Sequence, residues 1–224
     1  MFGFIYINII QNNIFVICIM NYLTIGYDCS PAAALQQLNL RSFALPFDWI
    51  VSNINGLDNC FSTNFENFHK QLCFNYNKTR LIDYYGFEFP HDYPLNFISY
   101  DKNDVGEGVF AEKKGECITD NWNDYYSIVL DKYTRRITRF KNIINDTQPI
   151  ICLCRYNTTS VLLLQHLFVK YYNLTNIYFI NSSSELFEND KIKNIYTEKN
   201  NIWNDTTIWK AGIDDMINKI NKTV

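Results

Sequence analysis

Histidine is the scarcest chemically versatile side chain in this sequence: His69, His91 and His166 are the only three in 224 residues. A mechanism that needs an imidazole near neutral pH therefore has few candidates. Seven cysteines, an odd number, include no C-x-x-C pair, which argues against a disulfide framework or a zinc ribbon and for reduced thiols in a cytoplasmic compartment. The sequence has no G-x-G-x-x-G, no G-x-x-x-x-G-K-[ST] and no H-E-x-x-H. Dinucleotide, P-loop and zincin chemistry thus lack their motifs, and neither a cofactor nor a metal is expected. The net charge of −3 is too small to hold nucleic acid by bulk electrostatics, so no nucleic-acid partner is expected. No Lys or Arg precedes Arg41, and Asn8, Gln11, Asn12 and Asn13 interrupt the apolar opening run, which fits neither a basic-tipped secretory signal nor a clean spanning helix. Residues 1–19 are read as an extension, disordered or upstream of a true start at Met20; a membrane anchor and an extra strand or helix are the alternatives. No membrane partner is expected unless these residues anchor the chain.

What is present reads as one α/β domain over residues 20–224, long enough to bury a sizeable core. Tyr22–Ile25 is a short apolar run ended by Gly26, followed by Tyr27-Asp28-Cys29-Ser30-Pro31 and the helix formers Ala32 to Leu38. This predicts strand, turn and helix, with Asp28 or Ser30 as the cap and Pro31 in the first turn. Asn53–Asp58 reads as a loop, and Phe61, Phe65, Phe68 and Leu72 suggest a helix to Cys73 with His69 on its surface. Two short strands are expected around Asn77-Lys78, the second being Tyr84–Phe89, before a rigid loop bounded by Pro90 and Pro94. Tyr100–Cys117 reads as a mobile excursion. The longest helix is predicted from Asp120 to Ile144, with a stripe of Tyr126, Val129, Leu130, Tyr133, Ile137, Phe140 and Ile144.

Ile150–Arg155 is nearly continuously apolar, typical of a strand covered on both faces. A helix over Val161–Tyr172, capped from Asn157–Ser160, and a strand at Ile177–Ile180 complete a β-α-β unit and imply a parallel sheet. A strand near Ile192–Tyr196 and a helix ending at Ile220 finish the chain. The fold class is α/β, a mostly parallel sheet flanked by helices.

Cys29 stands at a helix N-terminus, where unpaired N–H groups favour negative charge by about 0.3–1 kcal/mol. That is less than the ~1.4 kcal/mol of one pKa unit, so a basic partner is needed to make the thiol a nucleophile. His91, on the loop after a strand, is that partner by elimination, since His69 has no loop context and His166 lies within a helix. Asp48 and Asp92 are candidates to orient the imidazole, with Asp48 preferred. Each also has a plain structural reading: a buried thiol for Cys29, a turn for His91, a capped turn after Pro46 for Asp48. Arg155 ends its strand beside the strand that leads to Cys29, where open α/β sheets bind ligands. Arg155, Trp49, Arg135 and Arg139 are the candidate substrate-binding residues, the arginines as bidentate anion clamps. A strand-end ion pair for Arg155, and a solvated helix face for Arg135, Arg136 and Arg139, are the alternatives.

Gly26-Tyr-Asp-Cys29-Ser-Pro-Ala-Ala-Ala-Leu35, Leu40-Arg41-Ser42 and Pro46-Phe47-Asp48-Trp49 resemble the opening signature of an uncharacterised family of papain-like cysteine peptidases found in bacteria and large DNA viruses. Weaker echoes follow at Phe89-Pro90-His91-Asp92 and Tyr133-Thr-Arg135-Arg136-Ile-Thr-Arg139-Phe140. The resemblance spans about Met20 to Arg155. It implies a hydrolase acting on a peptide or small acyl substrate, in a host cytoplasm if the chain is viral, and an α+β papain-like alternative for the fold. Two functional classes stay open: a Cys-His hydrolase or acyl transferase, and a non-catalytic α/β binding or host-interaction module for an anion such as a nucleotide or sugar phosphate. A glycosyltransferase-like enzyme is a fainter third.

Overall fold

The computed structural model describes residues 20–96, 117–197 and 206–223. The N-terminal extension and nearly all of the Tyr100–Cys117 excursion lie outside these residues. Chain order begins with β1 (Asn21–Gly26), α1 (Ser30–Gln37) and α2 (Ile54–Ser62). Five two-residue strands follow: β2 (Cys73–Phe74), β3 (Leu81–Ile82), β4 (Glu88–Phe89), β5 (Leu95–Asn96) and β6 (Cys117–Ile118). A 3-10 turn at Trp122–Tyr125 leads into α3 (Tyr126–Ile144). Then come β7 (Ile150–Arg155), α4 (Thr158–Tyr172), β8 (Ile177–Ser183), β9 (Ile192–Tyr196) and α5 (Thr206–Thr223).

The main sheet has the order β1-β7-β8-β9 and every pairing in it is parallel, with Gly26 opposite Arg155. The fold is α/β, as the β-α-β pattern predicts, and the barrel-like antiparallel sheet implied by the family resemblance is not the sheet that carries Cys29. Side chains alternate across β7. Ile150, Cys152 and Cys154 enter a core shared with residues of α2, α3 and α4, while Ile151 and Leu153 enter a second core with α1 and α5. All six β7 residues are buried, which is why that strand reads as unbroken hydrocarbon.

Between α1 and α3 the chain departs from its sequence pattern. Asn53–Asp58 is not a loop: Asn53 is an N-cap whose side chain accepts from the Gly56 N–H at 2.8 Å, and α2 starts there. The helix expected to reach Cys73 ends at Ser62. Asn64, Phe65, His69 and Gln71 then take left-handed φ angles of 52°, 69°, 57° and 54°. The spacing of Phe61, Phe65 and Phe68 mimics a helix because consecutive turns also return apolar side chains to one side. Those three rings surround Phe47 together with Phe87 and Phe140, at centroid distances of 5.6–6.0 Å. Of the expected strand Tyr84–Phe89 only the end is a strand, β4, because Asp83 to Gly86 forms a turn with Gly86 at φ 76°; the partner of β2 is β3, which also pairs with β4. Among the described residues no helix is long and apolar enough to cross a membrane.

Candidate active site

Cys29 is itself the N-cap of α1, with Pro31 in the first turn. The neighbouring Asp28 accepts from the Ser30 N–H at 2.9 Å and the Ser30 hydroxyl at 2.6 Å through Oδ1. Its other oxygen pairs with Arg155, whose guanidinium also lies 5.1 Å over the Tyr27 ring. Arg155 thus meets Cys29's own turn: it holds the carboxylate that shapes the start of α1. Gly26 lets the turn close tightly where the strand ends, since an added Cβ would lie 3.2 Å from the Asp28 carbonyl oxygen.

A chain of hydrogen bonds carries the same strand end across to His91. The Gly26 carbonyl accepts from the Ser52 N–H at 2.9 Å and the Ser52 hydroxyl at 2.8 Å. The next residue back, Val51, exchanges two 3.0 Å backbone bonds with Glu88 of β4. Two residues beyond Glu88, Pro90 leads into His91. The result is a Cys29 Sγ to His91 Nε2 distance of 3.4 Å, between residues 62 apart in sequence. The His91 ring stands edge-to-face with Trp49 at 6.4 Å.

Asp48, expected to orient the imidazole, is fully engaged elsewhere. It accepts from Thr24 Oγ1 at 2.5 Å, Arg41 Nη2 at 2.5 Å and the Leu45 N–H at 2.6 Å. Both Arg41 and Asp48 side chains are over nine-tenths buried. This clamp fixes the turn whose next residue, Trp49, touches His91. Asp92 pairs with Lys132 and accepts from the Tyr133 hydroxyl at 2.7 Å, under the loop that carries His91.

The three α3 arginines do not converge on a pocket. Arg135 is exposed, Arg136 lies 5.3 Å over the Tyr133 ring, and Arg139 lies 5.8 Å over Phe43 while donating to the Ala44 carbonyl at 3.3 Å. His69 is not on a helix surface: it is completely buried, with Nε2 2.7 Å from the Tyr93 hydroxyl. Its ring packs against Phe89 at 4.4 Å and Tyr133 at 5.0 Å. A left-handed residue inside an aromatic cluster has no sequence signature, so the residue's polarity alone suggested exposure. His166 is exposed on α4.

Burial pushes the Cys29 thiol up to about 12, with the Asp28, Asp92 and Asp48 carboxylates adding to the rise and the Arg80 cation opposing it. That shift favours the thiol over a standing thiolate, so a nucleophilic role for this sulfur requires proton transfer to a base such as the neighbouring imidazole. Arg80, which donates to Glu88 at 2.7 Å, is a site neighbour that the sequence reading missed. Its Asn-Lys-Thr-Arg context looks like an ordinary turn, and only the pairing of β3 with β4 brings it near the sulfur. Between α1 and the 41–49 segment, a cavity of about 160 Å³ is lined by Ala32, Gln36, Arg41, Phe43 and Trp49, among others, and by neither Cys29 nor His91. Among the described residues no cluster of side chains suited to a metal ion is found.

A family model described as "Putative papain-like cysteine peptidase (DUF1796)" matches residues 20–183, well over half of the chain. Neither curated proteins nor solved structures yield a match.

Proposed function

The chain belongs to this family, and from that premise we propose a cysteine-dependent hydrolase in which Cys29 is the nucleophile and His91 its general base. The carrying observation is the 3.4 Å approach of Cys29 Sγ to His91 Nε2 at the C-terminal edge of a parallel sheet. His91 takes the thiol proton as sulfur bonds to an acyl carbon, giving a tetrahedral oxyanion. The imidazolium then protonates the departing amine or alcohol, and the carbon–heteroatom bond breaks to leave a thioester on Cys29. Water, deprotonated by the same imidazole, attacks the thioester. The carboxylic acid leaves and the thiol is restored.

The start of α1 supplies the oxyanion donors in this reading. Asp28 occupies the Ser30 N–H and Pro31 has none, so the Cys29 and Ala32 N–H groups are the ones aimed at developing charge. Asp48 acts through Trp49, holding the ring that flanks His91, and Arg155 acts through Asp28. Both are positioning residues. Acetylation by p-nitrophenyl acetate tests the reading. A stoichiometric burst of p-nitrophenolate with one acetyl group mapped to Cys29, absent in Cys29→Ala and reduced by about 10² or more in His91→Ala, is expected. A burst that survives either substitution overturns it.

A further inference from the structure

His91 lies in the short loop bracketed by Pro90 and Pro94, whose rings fix two of its φ angles. The rest of the loop is fixed from α3. Tyr133, fully buried, meets the chain on both sides of His91. Its ring packs edge-to-face at 5.2 Å against Phe89, two residues before His91. Its hydroxyl donates at 2.7 Å to Asp92 Oδ2, one residue after His91. The preceding α3 residue, Lys132, pairs with the other oxygen, Asp92 Oδ1. Two adjacent residues of one helix thus engage both oxygens of the carboxylate next to the imidazole.

That helix is a firm support. It runs for 19 residues, and the Tyr133 ring is wedged by Phe68 at 5.3 Å and by the His69 ring at 5.0 Å. The next loop residue is anchored as well, since the Tyr93 hydroxyl and His69 Nε2 lie 2.7 Å apart. Three successive side chains of the loop are therefore tied to Cys29, to α3 and to His69.

The charge in the middle of this clamp is informative. The Asp92 side chain is 4 % exposed and its lysine partner 30 %. Burying a carboxylate forfeits hydration that a half-exposed lysine and a neutral phenol return only in part. An apolar residue would anchor the loop without that cost. A carboxylate does serve the neighbouring base, because His91 becomes a cation as it takes the thiol proton. The same charge reaches the sulfur, where it works against the thiolate, and the Lys132 cation paired with it tempers that effect.

We propose that Lys132 and Tyr133 are positioning residues for the reaction, clamping Phe89 and Asp92 so that the imidazole between them stays within proton-transfer reach of Cys29. This rests on the Cys29–His91 reading and adds to it the helix that presents the base.

Iodoacetamide alkylation of Cys29, measured for each variant with His91 present and again in the His91→Ala background, tests the proposal. Loosening of the fold changes both rates alike, whereas loss of positioning changes only the first. Lys132→Met, at a partly exposed position, should slow Cys29 by about tenfold or more with His91 present and leave the His91→Ala rate unchanged. Tyr133→Phe keeps the ring on Phe89, removes the donor to Asp92 Oδ2, and should slow Cys29 severalfold in the same selective way. Lys132→Arg, which retains a cation against Asp92, should recover most of the Lys132→Met loss. Equal fractional losses in the two backgrounds, or no loss in Lys132→Met and Tyr133→Phe, would overturn the positioning role while leaving the pair standing. Alkylation of Cys29 that is indifferent to His91→Ala in the otherwise unaltered protein would instead remove the pair, and the positioning role with it.

Discussion

The parallel sheet and the segment from Phe47 to Asn96 are built on opposite terms, and the candidate site takes one residue from each. In the sheet, β-branched and aliphatic side chains alternate between two cores, and long ladders define the register. In the segment, strands are two residues long, several non-glycine residues hold left-handed angles, and cohesion comes from a cluster of aromatic rings. The sheet places Cys29 through an extended strand and a helix start. The segment places His91 through Val51, Glu88 and the packing around Phe47. Damage in the segment should therefore leave the position of the sulfur unchanged and displace the imidazole.

The largest separation between the two regions should come from Phe47→Ala. It removes the hub of five aromatic contacts and should cost about 3–5 kcal/mol in urea unfolding. Gly56→Ala comes next. Its Cβ would collide with the Tyr85 carbonyl and approach Phe87 Cε1 to 2.8 Å, a loss of about 1–3 kcal/mol by overpacking, accompanied by slower His91-dependent chemistry.

Acidity sharpens the contrast further. Burial raises the Asp83 carboxyl to about 6 although three backbone N–H groups donate to it. The folded chain then binds that proton more tightly than the unfolded one, so the stability this group contributes is lost as pH rises from about 4 through 6. Burial lowers His69 to about 4. The unfolded imidazole charges first, so stability is lost as pH falls from about 6.5 toward 4. The two neighbours oppose each other, and His69→Gln should leave the Asp83 slope uncovered: unfolding free energy in the variant falls between about pH 4.5 and 6.5 relative to wild type. The sheet's shifted groups, Cys152 and Cys154, are raised and add no slope in that window.

The smallest effects distinguish two caps. Asn53→Ala and Asn157→Ala each remove one side-chain acceptor from a helix N-terminus and should each cost about 1 kcal/mol. Only Asn53 also donates to the Gly86 carbonyl, at 3.2 Å. Acetylation of Cys29 should slow in the Asn53 variant and stay unchanged in the Asn157 variant.

How far the sequence could be read follows the same division. Ile150–Arg155 and Asn157–Tyr172 were legible because a doubly covered strand is continuously apolar and a cap with amphipathic spacing marks a helix. Cys29 and His91 stand out as candidates because a Pro-led helix start and three histidines leave few choices, and the fold brings the two within 3.4 Å. Asn53 reads as a loop because its residue type serves caps and turns alike. Phe61 to Leu72 reads as a helix because spacing reports which side chains share a side, not whether the backbone between them stays helical. Asp48's clamp joins Thr24, Arg41 and Leu45, a tertiary arrangement that no local pattern encodes.

In the proposed mechanism, a thiol that burial pushes up to about 12 becomes reactive only through the ring 3.4 Å away. Alkylation of Cys29 by iodoacetamide, followed by peptide mapping from about pH 6 to 9 and referenced to the exposed Cys73, measures this directly. The Cys29 rate near neutral pH is expected to fall by about 10² or more in His91→Ala while the Cys73 rate holds. Equal Cys29 rates in the two proteins would contradict it.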